Sequence, residues 1–288
     1  MSDKYKLFVY GTLRKHEQNH FLLEGSRCLA QQAWVYGELF DTGLGYPTMK
    51  GPHLENKVYG ELYEINPEQF KELDELEDYI PGDPDNLYNR IEQEIHTDSG
   101  IEHAFVYVSN RDDLLVKPIV YGDWKLNRLL ERKPDKIFYF AYGSCMDMER
   151  FKAAKADQYF RTIRGVGVLK GYSMKYVFPG ADGGRADIVE NGGETEGILY
   201  EIPYDGVEYL FQREGFYGGW YRPVFVDIDL FDGRRITNVL TFHVYNKKEE
   251  IAPPLHYAAE ILRGAKGRLS EKYFEQLEEQ LKGLGLDI

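Results

Sequence analysis

The chain repeats itself, and that repeat limits what it can fold into more than any other feature. Tyr10-Gly11-Thr12-Leu13-Arg14 returns as Tyr142-Gly143-Ser144-Cys145-Met146. Each copy follows an apolar, aromatic-rich run, residues 6–9 and 137–141, of the kind that suits a buried strand. Each therefore reads as a strand that stops at a glycine turn. Glycine lets the backbone turn sharply, and successive N–H groups in such a turn can converge on one anion.

The echo continues downstream. Val58-Tyr59-Gly60-Glu61-Leu62-Tyr63-Glu64-Ile65 matches Glu196-Gly197-Ile198-Leu199-Tyr200-Glu201-Ile202 as a strand with alternating faces. Pro67 and Pro203 then open short helical segments that end in a carboxylate, and Gly60 to Glu77 and Gly197 to Glu214 span the same 17 positions. Tyr88-Asn89-Arg90 and Trp220-Tyr221-Arg222 follow, each leading into another strand-like run. Self-similarity of this length marks a tandem duplication of one domain.

A chain of 288 residues accommodates two such units. The boundary is expected where Arg111-Asp112-Asp113 breaks the strand pattern: a first domain over 1–115, a linker helix over 116–134 with Asp123 as N-cap, and a second domain over 135–288. The second copy adds helical segments over 255–263 and 269–281. Its loop Pro179-Gly180-Ala181-Asp182-Gly183-Gly184-Arg185 is glycine-rich, where the first copy has Gly51-Pro52-His53. Gly43-Leu44-Gly45-Tyr46-Pro47-Thr48-Met49 reads as turn material able to line a pocket mouth.

Charge and composition exclude several functions. A net charge of −13 argues against nucleic acid or an anionic membrane as partner, since both call for a concentrated basic face. There is no apolar run of membrane-spanning length, and Met1-Ser2-Asp3-Lys4-Tyr5 lacks the apolar core of a secretion signal, so a cytoplasmic protein is expected. The two cysteines, Cys28 and Cys145, provide neither a disulfide framework nor a metal cluster. The seven histidines show no metal-ligand spacing, and the glycines form no nucleotide-binding pattern. Neither metal nor cofactor is expected. Cys145 has Leu13 as its counterpart and no histidine at matched spacing to activate it, which argues for packing over nucleophilic catalysis.

What remains is a turn that can hold an anion and a glutamate kept at fixed offset in both copies. Apolar neighbours, Leu73, Leu76 and Tyr79 for Glu77 and Leu210, Phe211 and Phe216 for Glu214, would raise the proton affinity of these carboxyls. That layout suits general acid–base work on a substrate carrying its own carboxylate. A non-catalytic module that binds a small carboxylate metabolite stays open, as does a pair with one active and one degenerate domain.

Tyr-Gly-Thr-Leu-Arg with Leu73-Asp74-x-x-Glu77, repeated as Tyr-Gly-Ser-Cys-Met with Glu214, resembles the gamma-glutamylcyclotransferase-like family over nearly the whole chain. The first copy is similar to the gamma-glutamylamine branch, in residues 8–14 and Asn19-His20. The second is closer to the gamma-glutamylcyclotransferases proper, in residues 186–189 and 261–266. The resemblance implies an α+β fold of two tandem domains, each a small mixed β-barrel with flanking short helices. It implies a small-molecule gamma-glutamyl substrate bound at Tyr10, Gly11, Thr12 and Leu13, and at Tyr142, Gly143, Ser144 and Cys145, with the turn amides on the α-carboxylate. It also implies that Glu77 and Glu214 take a proton from the substrate's α-amine, which attacks its own γ-carbonyl to release 5-oxoproline. Cys145 stands where relatives often carry asparagine, and the loop 78–87 is longer than 215–219, so the two pockets should differ.

Overall fold

The computed structural model describes residues 4–52 and 55–288; Met1, Ser2, Asp3, His53 and Leu54, which include three residues of the chain start and one of the loop discussed above, lie outside the described residues. The chain divides into two compact units, Met1–Arg132 and Lys133–Ile288.

The first unit contains β1 (Tyr5–Val9), β2 (Arg27–Tyr36), β3 (Glu38–Asp41), β4 (Pro47–Lys50), β5 (Lys57–Ile65), α1 (Pro67–Leu76), β6 (Tyr88–Thr97), β7 (Gly100–Ser109), β8 (Lys117–Pro118) and α2 (Trp124–Arg132). Its barrel closes in the order β1-β5-β2-β6-β7, with β1 parallel to β7 at Leu7 and Phe105. The second unit contains β9 (Ile137–Ala141), α3 (Met148–Ala153), β10 (Thr162–Gly180), β11 (Gly183–Ile202), α4 (Tyr204–Arg213), β12 (Tyr221–Leu230), β13 (Arg235–Val244), α5 (Leu255–Ala265) and α6 (Glu271–Gly283). Its barrel closes as β10-β11-β9-β13-β12, and β9 runs parallel to β13 at Tyr139 and Leu240. Going around each barrel from its first strand gives the same path with the same parallel seam. The mixed barrel is thus built twice.

The uninterrupted apolar run of β1 has a direct cause. Phe8 and Tyr10 face the barrel interior with Ala33, Val35, Val58, Leu62, Ile95 and Val106. Leu7 and Val9 face outward and pack with Phe70 and Leu73 of α1. Both faces of the strand are buried, so polar alternation would be penalised on either side. The repeated strand glycine is explained by the same ring. A Cβ on Gly60 would stand 2.2 Å from the Val9 carbonyl oxygen and 2.7 Å from Phe8 Cζ; one on Gly197 would stand 2.4 Å from the Ala141 oxygen and 2.6 Å from Phe140 Cζ. Only glycine lets the facing strand and its phenylalanine approach this closely.

α1 starts where its sequence signals it. Asn66 accepts from the Gln69 N–H, the Gln69 side chain accepts from the Asn66 N–H, and Pro67 occupies the first turn, a reciprocal cap with proline in a position that needs no donor.

Three expectations are corrected. Residues 116–132 are not a linker: Asp123 and Lys125 are buried in the first unit, and the boundary falls between Arg132 and Lys133. Like α5 after β13, α2 is the helix that follows the last barrel strand and returns to the Tyr-Gly turn. The glycine-rich stretch 179–185 is not a loop but the tip of the long β10–β11 hairpin, in which Gly180 pairs with Gly183. The arginine echo is sequential only. Arg90 lies opposite Tyr107, and Pro223, not Arg222, lies opposite Phe242, the residue matching Tyr107. The two arginines therefore point to opposite sides of their barrels, because strand side chains alternate.

Candidate active site

In the first unit the turn after β1 is fixed from several directions. The Arg14 N–H donates to the Gly11 carbonyl at 3.0 Å and the Asn19 N–H to the Thr12 carbonyl at 2.9 Å. Asn19 Nδ2 donates to Thr12 Oγ1 at 3.0 Å, and the Tyr10 hydroxyl donates across to the Tyr107 carbonyl at 2.9 Å. Among the described residues, the N–H groups of Thr12 and Leu13 meet no acceptor. Two amides at one turn thus remain able to bind an anion.

Behind the turn lies a buried ionic cluster. Arg14 Nη1 donates to Asp123 Oδ1 at 3.0 Å and Arg14 Nε to Glu61 Oε1 at 3.3 Å. Glu61 Oε2 accepts from the Lys15 N–H and from the Tyr63 hydroxyl, both at 2.8 Å, and Lys125 Nζ lies 3.9 Å from Glu61. Burial alone would raise the Glu61 carboxyl, but Lys125, Arg14 and the two donors hold it below the ordinary value. Arg14 is therefore scaffolding for the turn, not a group aimed at substrate.

The turn opens onto a cavity of about 350 Å³ lined by residues 8–13, Gln18 and Asn19, the loop residues 44–47, Leu76, Glu77, Leu87, Tyr88 and Tyr107. Tyr10, Gly11, Thr12, Leu13 and Glu77, separated by up to 67 positions in sequence, all reach it. Sequence reasoning missed Tyr88 and Tyr107, which are brought in by the barrel's strand order; the pocket-mouth reading of residues 43–49 holds for 44–47. Glu77 sits just past the last turn of α1, its N–H bonded to the Leu73 carbonyl at 3.0 Å. The following loop doubles back through Asn86, which accepts from the Ile80 N–H at 2.8 Å and donates to the Ile80 carbonyl at 2.9 Å. Among the described residues no hydrogen bond or ion pair reaches the half-buried Glu77 carboxyl. Enclosure without a partner pushes its pKa up to about 7.

This desolvation has a signed consequence for stability. The folded chain binds the Glu77 proton more tightly than the unfolded chain. The group's contribution is thus most favourable below 4.5 and is lost as pH rises through about 7. At about pH 8, Glu77→Gln should raise stability by on the order of 1–3 kcal/mol, and at about pH 4 the gain should vanish. Thermal melts at the two pH values check this; a loss at pH 8, or the same shift at both, contradicts the assignment.

The second unit brings together the same parts in a different state. The Tyr142 hydroxyl donates to the Phe242 carbonyl at 2.8 Å, as Tyr10 does to Tyr107. Tyr142, Gly143, Ser144, Cys145 and Glu214 again line one cavity, but its volume is about 30 Å³, room for little more than a water molecule. Arg213, in the last turn of α4, reaches the turn. Its Nε donates to Cys145 Sγ at 3.1 Å and its Nη2 to Ser144 Oγ at 3.2 Å, while the Cys145 thiol donates to Glu214 Oε1 at 3.3 Å. Tyr257 of α5 closes the other side, its hydroxyl accepting from the Ala186 N–H at 3.2 Å. Burial raises the Glu214 carboxyl, against the pull of Arg213 and the thiol. Burial also pushes the Cys145 thiol up to about 11, which leaves it protonated at neutral pH and a poor nucleophile. No group of three or more histidine, cysteine, aspartate or glutamate side chains able to hold a metal ion occurs among the described residues.

Two closed mixed barrels, each with a Tyr-Gly turn facing a glutamate at the end of a helix, define a cyclotransferase architecture, and the chain belongs to the gamma-glutamylcyclotransferase family. A profile described as gamma-glutamyl cyclotransferase, AIG2-like, matches residues 7–126, and an AIG2-like family profile matches residues 194–277. YkqA of Bacillus subtilis (strain 168) is 43% identical over 96% of this chain and 98% of its own length. The crystal structure of YkqA superimposes with a TM-score of 0.89 at 42% identity, covering 98% of this chain and 99% of that one. The gamma-L-glutamyl-butirosin B gamma-glutamyl cyclotransferase of Niallia circulans is 45% identical over 136 residues, 45% of this chain and 84% of that protein. The protein is accordingly an enzyme of this family, with tandem domains, and the family acts on small gamma-glutamyl substrates. No described helix is long and apolar enough to cross a membrane.

Proposed function

We propose that the first unit cyclises gamma-glutamyl compounds to 5-oxoproline, with Glu77 as the general acid–base. One observation supports this above the others: an unpartnered carboxyl with a pKa near 7 shares an open cavity with two amides that lack acceptors. The Thr12 and Leu13 N–H groups hold the substrate's α-carboxylate. Glu77 takes a proton from the α-ammonium, and the freed amine attacks the γ-carbonyl carbon. The new carbon–nitrogen bond closes the five-membered ring; the old one breaks as Glu77 returns the proton to the leaving nitrogen, and the second proton of the ring nitrogen passes to the released amine, which departs as an ammonium ion. Both reacting groups belong to one molecule, so holding it folded supplies much of the acceleration. A carboxyl with its pKa near the working pH serves in both directions.

Among the described residues, the wall of this cavity carries neither lysine nor arginine. A leaving group with its own carboxylate would find no charge to meet it, so the favoured substrate is a gamma-glutamyl amine rather than a gamma-glutamyl amino acid. Release of 5-oxoproline from matched pairs, such as gamma-glutamyl-propylamine and gamma-glutamyl-alanine, tests both points. The amine should be turned over at least about tenfold faster per unit concentration. A preference for the amino acid overturns the substrate assignment. Saturable binding of every panel member with no 5-oxoproline released makes the unit a binding module.

A further inference from the structure

We propose that the second unit's site is closed from within by Arg213, with its turn and glutamate still in place, and that removing this side chain opens a second site for the same class of carboxylate ligand. The inference rests on the function proposed for the first unit. Arg213 and Leu76 occupy matching positions, each immediately before the glutamate of its unit. Leu76 lines the first unit's cavity without closing it, whereas the Arg213 side chain is bonded across to the turn of its own unit.

The reason is chemical. A guanidinium needs acceptors, and at this place the turn offers Ser144 Oγ and Cys145 Sγ, with the Glu214 carboxylate 3.6 Å away. Nothing comparable attracts leucine. Arg213 thereby brings a cation against the glutamate in the position where the first unit's glutamate would meet the substrate's ammonium. The chain provides its own stand-in for that group. Tyr257 forms the opposite wall and is anchored, through its hydroxyl on the Ala186 N–H and through its place in α5. Arg213 lies in the last turn of α4, bonded to the turn it covers and set beside Tyr209 and the Phe151 ring, so it is the side chain whose removal frees Ser144, Cys145 and Glu214 together.

The test uses the full chain and its Arg213→Ala variant, with Arg213→Leu as a second variant in case alanine impairs folding. Hydrogen exchange is read at the Ser144 and Cys145 amides and, as an internal reference, at Thr12 and Leu13. Loss of the arginine should speed exchange of the second-unit amides by at least about tenfold and leave the first-unit amides unchanged. Calorimetric titration with 5-oxoproline should rise from one equivalent bound to two. Unchanged exchange at Ser144 and Cys145 overturns the closure, and faster exchange with no added equivalent overturns the second site. A native chain that binds no 5-oxoproline speaks against the function proposed for the first unit. An equivalent gained by the variant in that case still upholds the closure.

Discussion

Glu77→Gln should lower kcat/KM for 5-oxoproline release by about 100- to 10,000-fold, the range over which a positioned general acid–base contributes. Glu214→Gln in the same chain should change it by less than about twofold, as expected for a substitution remote from the reaction. The asymmetry follows from volume and partners. Glu77 faces about 350 Å³ of open cavity with its carboxyl unpaired; Glu214 faces about 30 Å³ and is engaged by a thiol and a guanidinium. Glutamine preserves shape and burial, so a fall in kcat in a variant whose melting temperature is unchanged at about pH 4 and raised above pH 7 isolates the proton transfer from packing. If Glu214→Gln is the variant that loses activity, the roles of the units are reversed. If neither does, the base is another group.

A loss of about 3–5 kcal/mol in stability should follow Arg14→Met, the cost typical of breaking a buried ion pair from one side. Arg14, Glu61, Asp123 and Lys125 are all 5% exposed or less at their side chains. Removing the arginine leaves two buried carboxylates facing a single ammonium. The second unit shows that this place does not require charge: Met146 and Ile198 stand where Arg14 and Glu61 do, at 0% and 1% exposure. Adding Glu61→Ile to Arg14→Met should therefore restore part of the loss instead of deepening it. A double-mutant cycle on chemical denaturation reads the sign of the coupling directly. Additive losses would mean that the cluster's charges act independently.

The turn and its glutamate were legible in the sequence because backbone path alone brings them together. A strand of fixed pairing, a helix of ten residues and a cap residue deliver Glu77 and Glu214 to the same point in each barrel. The paired Gly60 and Gly197 were legible for a similar reason, since one facing phenylalanine imposes the same close approach in both units. The closure by Arg213 was not legible. It depends on an arginine beside the glutamate finding acceptors on the turn, and those acceptors lie 68 and 69 positions away. Tyr257 reaches Ala186 across 71 positions through a helix that, from sequence, was only an addition after the barrel. The misplaced boundary near residue 115 has the same origin, because a short amphipathic helix between two repeats looks like a connector until its buried Asp123 and Lys125 find Arg14 and Glu61.

That last contact also fixes an order of events during synthesis. The turn at residues 11–14 leaves the ribosome more than a hundred residues before the carboxylate that braces Arg14, which belongs to Asp123 near the end of the first unit. Domains made from the N-terminus generally fold as units once they are available. Until α2 emerges, Arg14 and Glu61 cannot be buried as a neutralised set, and the nascent barrel holds its Tyr-Gly turn without the support it has in the finished protein. A ribosome-bound chain stalled with residue 115 just exposed should therefore lack the pocket, and one stalled beyond Arg132 should have it.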